Sequence, residues 1–251
     1  MKYAVIVSKQ DQAGMNISKQ LAPLIANNED VELFIKARDS INCENIDKEI
    51  KADNFIFATR HASEQGKPCL SIHFPGNFSK AEFGGSDKML CNTNASLLKE
   101  LFLTLKSKHE TATLEATHHG PYLEKPCLFI EIGSSEKEWV NEEFGKIIAE
   151  TIAETTAKEI KSYKTCVAIG SGHYPIPFNK VLERTEYAIG HICPKYQLEN
   201  LDEAMLKQMV DKSKPEFILL DWKGLGPYKE KVKALTESYE VKRIKELIGK
   251  A

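Results

Sequence analysis

Five of the seven histidines fall in four short stretches: Thr-Arg-His-Ala-Ser at 59–63, Ser-Ile-His-Phe at 71–74, Ala-Thr-His-His-Gly-Pro at 116–121 and Gly-Ser-Gly-His-Tyr at 170–174. Imidazole has the side-chain pKa nearest neutrality and is the commonest metal ligand. Three or four imidazoles with a carboxylate such as Glu131 can hold zinc with one position left open. A metal so held acidifies a bound water and polarises a carbonyl. Without metal, the same residues can supply a general base and a hydrogen-bond donor for ester hydrolysis. Residue types leave both chemistries open. No Gly-x-Ser-x-Gly elbow, His-Glu-x-x-His helix or Gly-Lys-Ser/Thr phosphate loop occurs, which disfavours those hydrolase and nucleotide-binding classes.

Each stretch follows or ends an apolar run. Runs at 3–7, 31–35, 55–58, 69–73, 111–116, 128–132, 165–169, 187–192 and 217–220 read as strands. Amphipathic spacing predicts helices over 15–26, 95–106, 136–158, 201–210 and 227–238, and the end from Val241 to Lys250 reads as strand then helix. The alternation predicts an α/β fold, a mainly parallel mixed sheet flanked by helices. One domain of 251 residues is expected, or two closely packed halves divided by the Gly/Phe-rich loop near 75–94. Open α/β sheets bind ligands at the carboxyl ends of their strands, so parallel strands would gather the histidines on one rim. Neighbours in a regular strand point to opposite faces; His118 and His119 are expected to diverge unless Gly120-Pro121 breaks the strand. His191 is equally placed for core or site, and His109 reads as solvent-facing.

The formal net charge is −2, so no global positive field draws in nucleic acid, though 30 of the 34 basic residues are Lys and can form a local patch. The six cysteines form no CxxC pair and read as buried small hydrophobes in a reducing compartment. No leader or membrane-spanning stretch is visible, so a cytoplasmic location is expected.

In this order, the motifs resemble the archaeal and plant type of D-aminoacyl-tRNA deacylase. The matching pieces are Thr59–Ser63, Ile72-His-Phe-Pro-Gly-Asn-Phe78, Phe83-Gly-Gly85, Ala116–Pro121, Phe129-Ile-Glu-Ile-Gly-Ser134 with Trp139, Gly172-His-Tyr174, Ala188-Ile-Gly-His191 with Lys195-Tyr196, and Asp221-Trp-Lys-Gly224. The resemblance implies a hydrolase that frees a D-amino acid and tRNA from their ester, zinc as cofactor, charged tRNA as partner, and a fold akin to peptidyl-tRNA hydrolase and nucleoside phosphorylase. It carries over His61, His73, Thr117, His118, His119, Glu131, His173 and His191. Among these, His61, His73, His118 and Glu131 are expected to bind metal, and His119, Thr117 and His173 to act in catalysis. Arg60, Lys80, Gly120, Lys125, Gly172, Tyr174 and Lys180 are the expected substrate and tRNA contacts, and a monomer is expected. Two departures stand out: Pro177 occupies a place where the family often has a basic residue, and Cys91-Asn-Thr-Asn94 lacks a proline. The alternatives are another zinc- or His-dependent hydrolase on the same scaffold, such as a peptidyl-tRNA hydrolase-like enzyme, or a non-catalytic zinc-containing RNA-binding protein.

Overall fold

The structure is a computed structural model that describes residues 1–63 and 66–249; Lys250 of the last expected helix lies outside them. Strands covered on both faces need continuous apolar runs, and β1 (Tyr3–Ser8) is buried at every position. With β2 (Val31–Lys36), β3 (Asn54–Arg60), β4 (Cys69–His73), β5 (Ala112–Leu114) and β6 (Cys127–Gly133) it forms a sheet in the order β2-β1-β3-β6-β4-β5. A second sheet, β10-β9-β7-β8, contains β7 (Lys164–Ile169), β8 (Tyr187–Cys193), β9 (Phe217–Leu220) and β10 (Val241–Arg243), all parallel. The mainly parallel α/β architecture is as expected. The single shared rim is not: β4 runs antiparallel to β6 and parallel to β5.

The helices are α1 (Gln12–Ile25), α2 (Ile46–Glu49), α3 (Ala95–Lys108), α4 (Glu136–Trp139), α5 (Glu142–Thr156), α6 (Ile176–Arg184), α7 (Glu203–Ser213), α8 (Lys229–Leu235) and α9 (Ile244–Ile248). One apolar core runs from Val5 and Ile56 in the first sheet, through Leu101 and Phe102 of α3, to Ala168 and Ile189 in the second. The change of sheet comes after β6, not at 75–94. Helix α1 starts earlier than expected because Asp11 accepts the Gly14 N–H. The single helix expected over 136–158 is two: α4 ends at Val140, and Asn141 caps a fresh start. Asn94 caps α3 by accepting the Leu97 N–H, so no proline is needed there. All six cysteines are free and buried. Among the described residues, no helix is long and apolar enough to cross a membrane.

Candidate metal and acid–base centre

The floor of the site is a patch of the first sheet. The register aligns Thr59 and Ser71 with Glu131, and His73 with Phe129. Side chains alternate between faces along a strand, so His73 and Glu131 share one face. Phe129 lies stacked between Phe57 and His73, with ring centroids 4.7 and 5.3 Å away. The Thr59 hydroxyl donates to Glu131 Oε1 at 2.7 Å. That leaves Oε2 beside His73 Nε2 (3.5 Å) and His61 Nδ1 (3.6 Å).

The segment after β5 forms the opposite wall and ties the two sheets together. Glu115 N–H donates to Ile72 O, Ala116 N–H to His173 O and Thr117 N–H to Ile192 O. Beyond this the strand geometry fails. His119 has φ +42, in the left-handed region, and Gly76 N–H donates to both the His118 and His119 carbonyls. The two rings therefore do not diverge as a regular strand would require. Their centroids are 4.4 Å apart, and they lie 4.2 and 4.9 Å from that of His73.

Hydrogen bonds fix the tautomers of this triad. Nδ1 faces a carbonyl in each ring: Phe74 O for His73 (3.2 Å), Ala116 O for His118 (2.8 Å) and Gly120 O for His119 (2.7 Å). A carbonyl only accepts, so Nδ1 carries a hydrogen, and whenever the ring is neutral Nε2 keeps the lone pair. Such outer bonds orient metal-ligating histidines. One ligand atom from each ring lies within 4.8 Å of the others.

Glu115 organises the second group. Its fully buried carboxylate lies 3.1 Å from His173 Nε2, 3.3 Å from His61 Nδ1 and 3.5 Å from His118 Nε2. The far side of His61 meets the Tyr174 hydroxyl at 2.6 Å, and His173 Nδ1 meets the Tyr196 hydroxyl at 3.2 Å. Two further groups of ligand atoms pass the same 4.8 Å test: His61 with Glu115 and His173, and His73 with Glu115 and Glu131.

Despite these short distances, His73 Nε2, both Glu115 oxygens and Glu131 Oε2 are buried without a well-aligned hydrogen bond. Buried polar atoms in that state are costly, and a cation among His73, Glu115 and Glu131 would satisfy one atom of each. The donor set is nitrogen and oxygen without thiolate, which suits zinc or another divalent first-row metal.

The electrostatics divide the same residues. Burial alone would raise the Glu115 carboxyl, but the His173 bond and the His61 charge hold it well below the carboxylate range. Burial is likewise overcome at Glu131, which His61 and His73 keep ionised. Burial would lower His61 and His73, yet Glu131 lifts both above the ordinary imidazole value. Burial, then the neighbouring His73 charge, lowers His119 to about 4 and His118 well below its usual value.

Other expected site residues take different places. Thr117 is committed: its hydroxyl accepts the Ile192 N–H and bonds His191 Nδ1, both at 3.1 Å. His191 is fully buried and donates from Nε2 to Cys91 O, so it braces Thr117. His109 is partly covered rather than solvent-facing, bonded to the Thr111 hydroxyl and packed against Phe144. Arg60 is held by Asp39 and the Gln10 carbonyl over the Trp139 ring. Gly120 cannot offer its N–H to an oxyanion, because that group donates to Phe83 O at 2.9 Å. Gly172 is open, with nothing within 4 Å of where a Cβ would stand. Lys80 and Lys125 are exposed, whereas Lys180 lines a groove with Tyr174. Pro177 sits in the first turn of α6, where proline fits, and Lys180 follows one turn later.

Sequence reasoning missed Glu115, and quoted Tyr196 within a matching motif without giving it a site role. The available signal for Glu115 was a lone carboxylate closing an apolar run directly before Ala-Thr-His-His.

A family model described as D-aminoacyl-tRNA deacylase matches residues 48–244. The D-aminoacyl-tRNA deacylase of Pyrococcus furiosus is 35% identical, over 96% of this chain and 99% of that protein. Those of Cenarchaeum symbiosum and Methanocaldococcus jannaschii are 33% and 34% identical, over 90% and 89% of this chain and 93% and 91% of theirs. The crystal structure of a conserved protein of unknown function superposes with a TM-score of 0.91 at 27% identity, covering 98% of this chain and 96% of that one.

Proposed function

The chain belongs to the D-aminoacyl-tRNA deacylase family, and from that premise we propose that it hydrolyses the ester joining a D-amino acid to the terminal ribose of tRNA. The observation that carries the chemistry is the triad of His73, His118 and His119, each with Nδ1 held by a carbonyl and Nε2 left for a ligand. These three, with Glu131 beside them, would hold a divalent cation, zinc on this donor set. Bound there, the ion supplies an acidified water and a polarised ester carbonyl.

The remaining groups handle protons. Glu115, kept ionised, takes the proton of the attacking water. His173, 3.1 Å away and half-exposed at the mouth, relays a proton to the departing ribose oxygen. This assigns His119 to the ligands, since an imidazole with a pKa of about 4 has no proton to give at neutral pH. His61 moves towards the acid–base group, its ring fixed by Tyr174. The Gly172 N–H, on backbone that nothing crowds, would be the donor to the oxyanion. Selectivity for the D ester would come from a pocket in which an L side chain clashes rather than from weaker attraction. The enzyme acts as a single-domain monomer in the cytoplasm, where charged tRNA is found.

The test is deacylation of D- and L-aminoacyl-tRNA before chelation, after it, and with zinc restored. Preference for the D ester, lost on chelation and regained with zinc, is the expected result. Equal rates on D and L esters would refute the substrate assignment. Full activity in metal-depleted protein would refute the role given to the triad.

A further inference from the structure

A groove of about 600 Å³ opens beside the imidazole cluster, within the usual range for small-ligand sites of roughly 300–1,000 Å³. Tyr174, whose hydroxyl touches His61, lines it. Pro68, Cys69 and Ile176 supply apolar surface, and Ile176 is 52% exposed. Lys67, Lys180 and Arg184 also line the groove, and none of them has an ion-pair partner among the described residues. Lys106 is spent on the carbonyls of Glu110 and Ala112. Among the described residues, the lining carries two carboxylates, Glu110 and Glu183, against Lys67, Lys106, Lys180 and Arg184.

The arginines sharpen this. Arg38 is bonded to Glu49, Arg60 to Asp39, and Arg243 lies on the Trp222 ring at 4.1 Å. Arg184 alone of the four has no carboxylate or aromatic partner among the described residues.

The geometry points to this groove as the berth of the single-stranded 3′ end of tRNA, the nucleotides just before the esterified ribose. This deepens the proposed function and rests on it. With the ester carbonyl at the cluster, the strand must leave past one of its edges. Each nucleotide brings a flat apolar base and one phosphate. The groove meets them with the Tyr174 ring, apolar surface and cations without ion-pair partners among the described residues; a cationic groove with an aromatic platform is how proteins hold single strands. Lys67, Lys180 and Arg184 contact phosphate, and Pro68 and Ile176 contact base faces.

The test measures binding of uncharged tRNA and of the same tRNA with its last three nucleotides removed, to wild type and to a variant carrying Lys180→Glu and Arg184→Glu. Uncharged tRNA needs no turnover, so the groove and the reaction are judged separately. Each single-strand phosphate contact contributes about −0.7 to the slope of log affinity against log salt. Loss of two contacts should lower the slope by about 1.4 and weaken intact tRNA about 25-fold at 0.1 M salt. Affinity for trimmed tRNA should stay at the wild-type level. Equal losses on both tRNAs would place the cations on the duplex and overturn the proposal, as would no loss on either. The single variants Lys180→Gln and Arg184→Gln, read the same way, serve if the double reversal melts early. Retained 3′-end binding without D-ester hydrolysis would leave the groove standing and sink the reaction.

Discussion

Gly120→Ala separates two roles for one glycine. A donor to the oxyanion would keep its N–H in the alanine variant, with normal stability and a modest loss of rate. The structure gives Gly120 another task. A Cβ there would stand 2.1 Å from Gly85 N, 2.2 Å from Gly84 C and 2.7 Å from Gly84 O. All three are backbone atoms, which cannot rotate aside as a side chain can. Gly84 and Gly85 themselves have φ of +73 and +84, and a Cβ on Gly84 would stand 2.0 Å from the Ile41 carbonyl oxygen, so there is little room behind them. The cost should therefore reach the upper end of overpacking penalties, about 3 kcal/mol. For a chain of this size that is a fall in Tm of about 6–12 °C. The movement also pulls on His119, whose Nδ1 is anchored to the Gly120 carbonyl. With zinc held as proposed, its affinity should drop about 10- to 100-fold, the usual effect of losing a ligand's outer bond. Calorimetry and competition with a zinc chelator read both quantities on one preparation. A variant that melts with wild type, binds zinc normally and loses only kcat would refute the packing argument and return Gly120 to the oxyanion.

Three further outcomes follow from the same geometry. Glu115→Gln keeps the shape but removes the base, so single-turnover deacylation should slow by about 10²- to 10⁴-fold with the fold intact by circular dichroism; a rate within a few-fold of wild type would take Glu115 out of the proton path. Thr117→Val strips the partner from the Ile192 N–H and from His191 Nδ1. It should cost about 1–3 kcal/mol in denaturant unfolding yet retain most activity below its melting range, whereas total loss of turnover in folded protein would make Thr117 catalytic after all. Burial lowers His191 to about 4 from the usual 6.5, so between those values the unfolded chain binds the extra proton. Stability linked to His191 is present above pH 6.5 and lost as pH falls towards 4, about 3 kcal/mol in all; His191→Gln should flatten that part of the unfolding profile, and an unchanged slope would refute it.

Strand positions were legible because fully covered strands are continuous apolar runs, as in Tyr3–Val7 and Phe129–Ile132. Strand direction was not, since no pattern in Cys69-Leu-Ser-Ile-His73 distinguishes β4 running against β6 from β4 running with it. Helix α6 is not among the expected helices; it starts directly after Pro175 with Pro177 in its first turn, where proline is tolerated. The break at Val140 was hidden by helical spacing that continues through it; the signal lay in Asn141, a cap residue inside an apparent helix. Local chemistry at caps and first turns decided these boundaries, and periodicity alone does not see it.

The histidines were legible as a cluster, but which ring nitrogens face one another depends on backbone groups that no sequence pattern displays. His118 and His119 illustrate why. Strand alternation separates adjacent side chains, and the Thr117–His118 stretch is extended enough to pair with its neighbours. The left-handed turn at His119 then swings the second ring back to the first. That conformation is uncommon for a residue with a Cβ, so it persists only where its surroundings hold it. Gly76 grips the two carbonyls from one side, and the Gly84-Gly85 pair receives Gly120 from the other. The glycine-rich loop that looked like a divider between halves is thus the clamp that turns two neighbouring imidazoles towards His73. The same clamp explains why Gly120 has no N–H to spare: that group donates to Phe83 O, and the backbone that turns the His118 and His119 rings towards His73 is consumed in turning them.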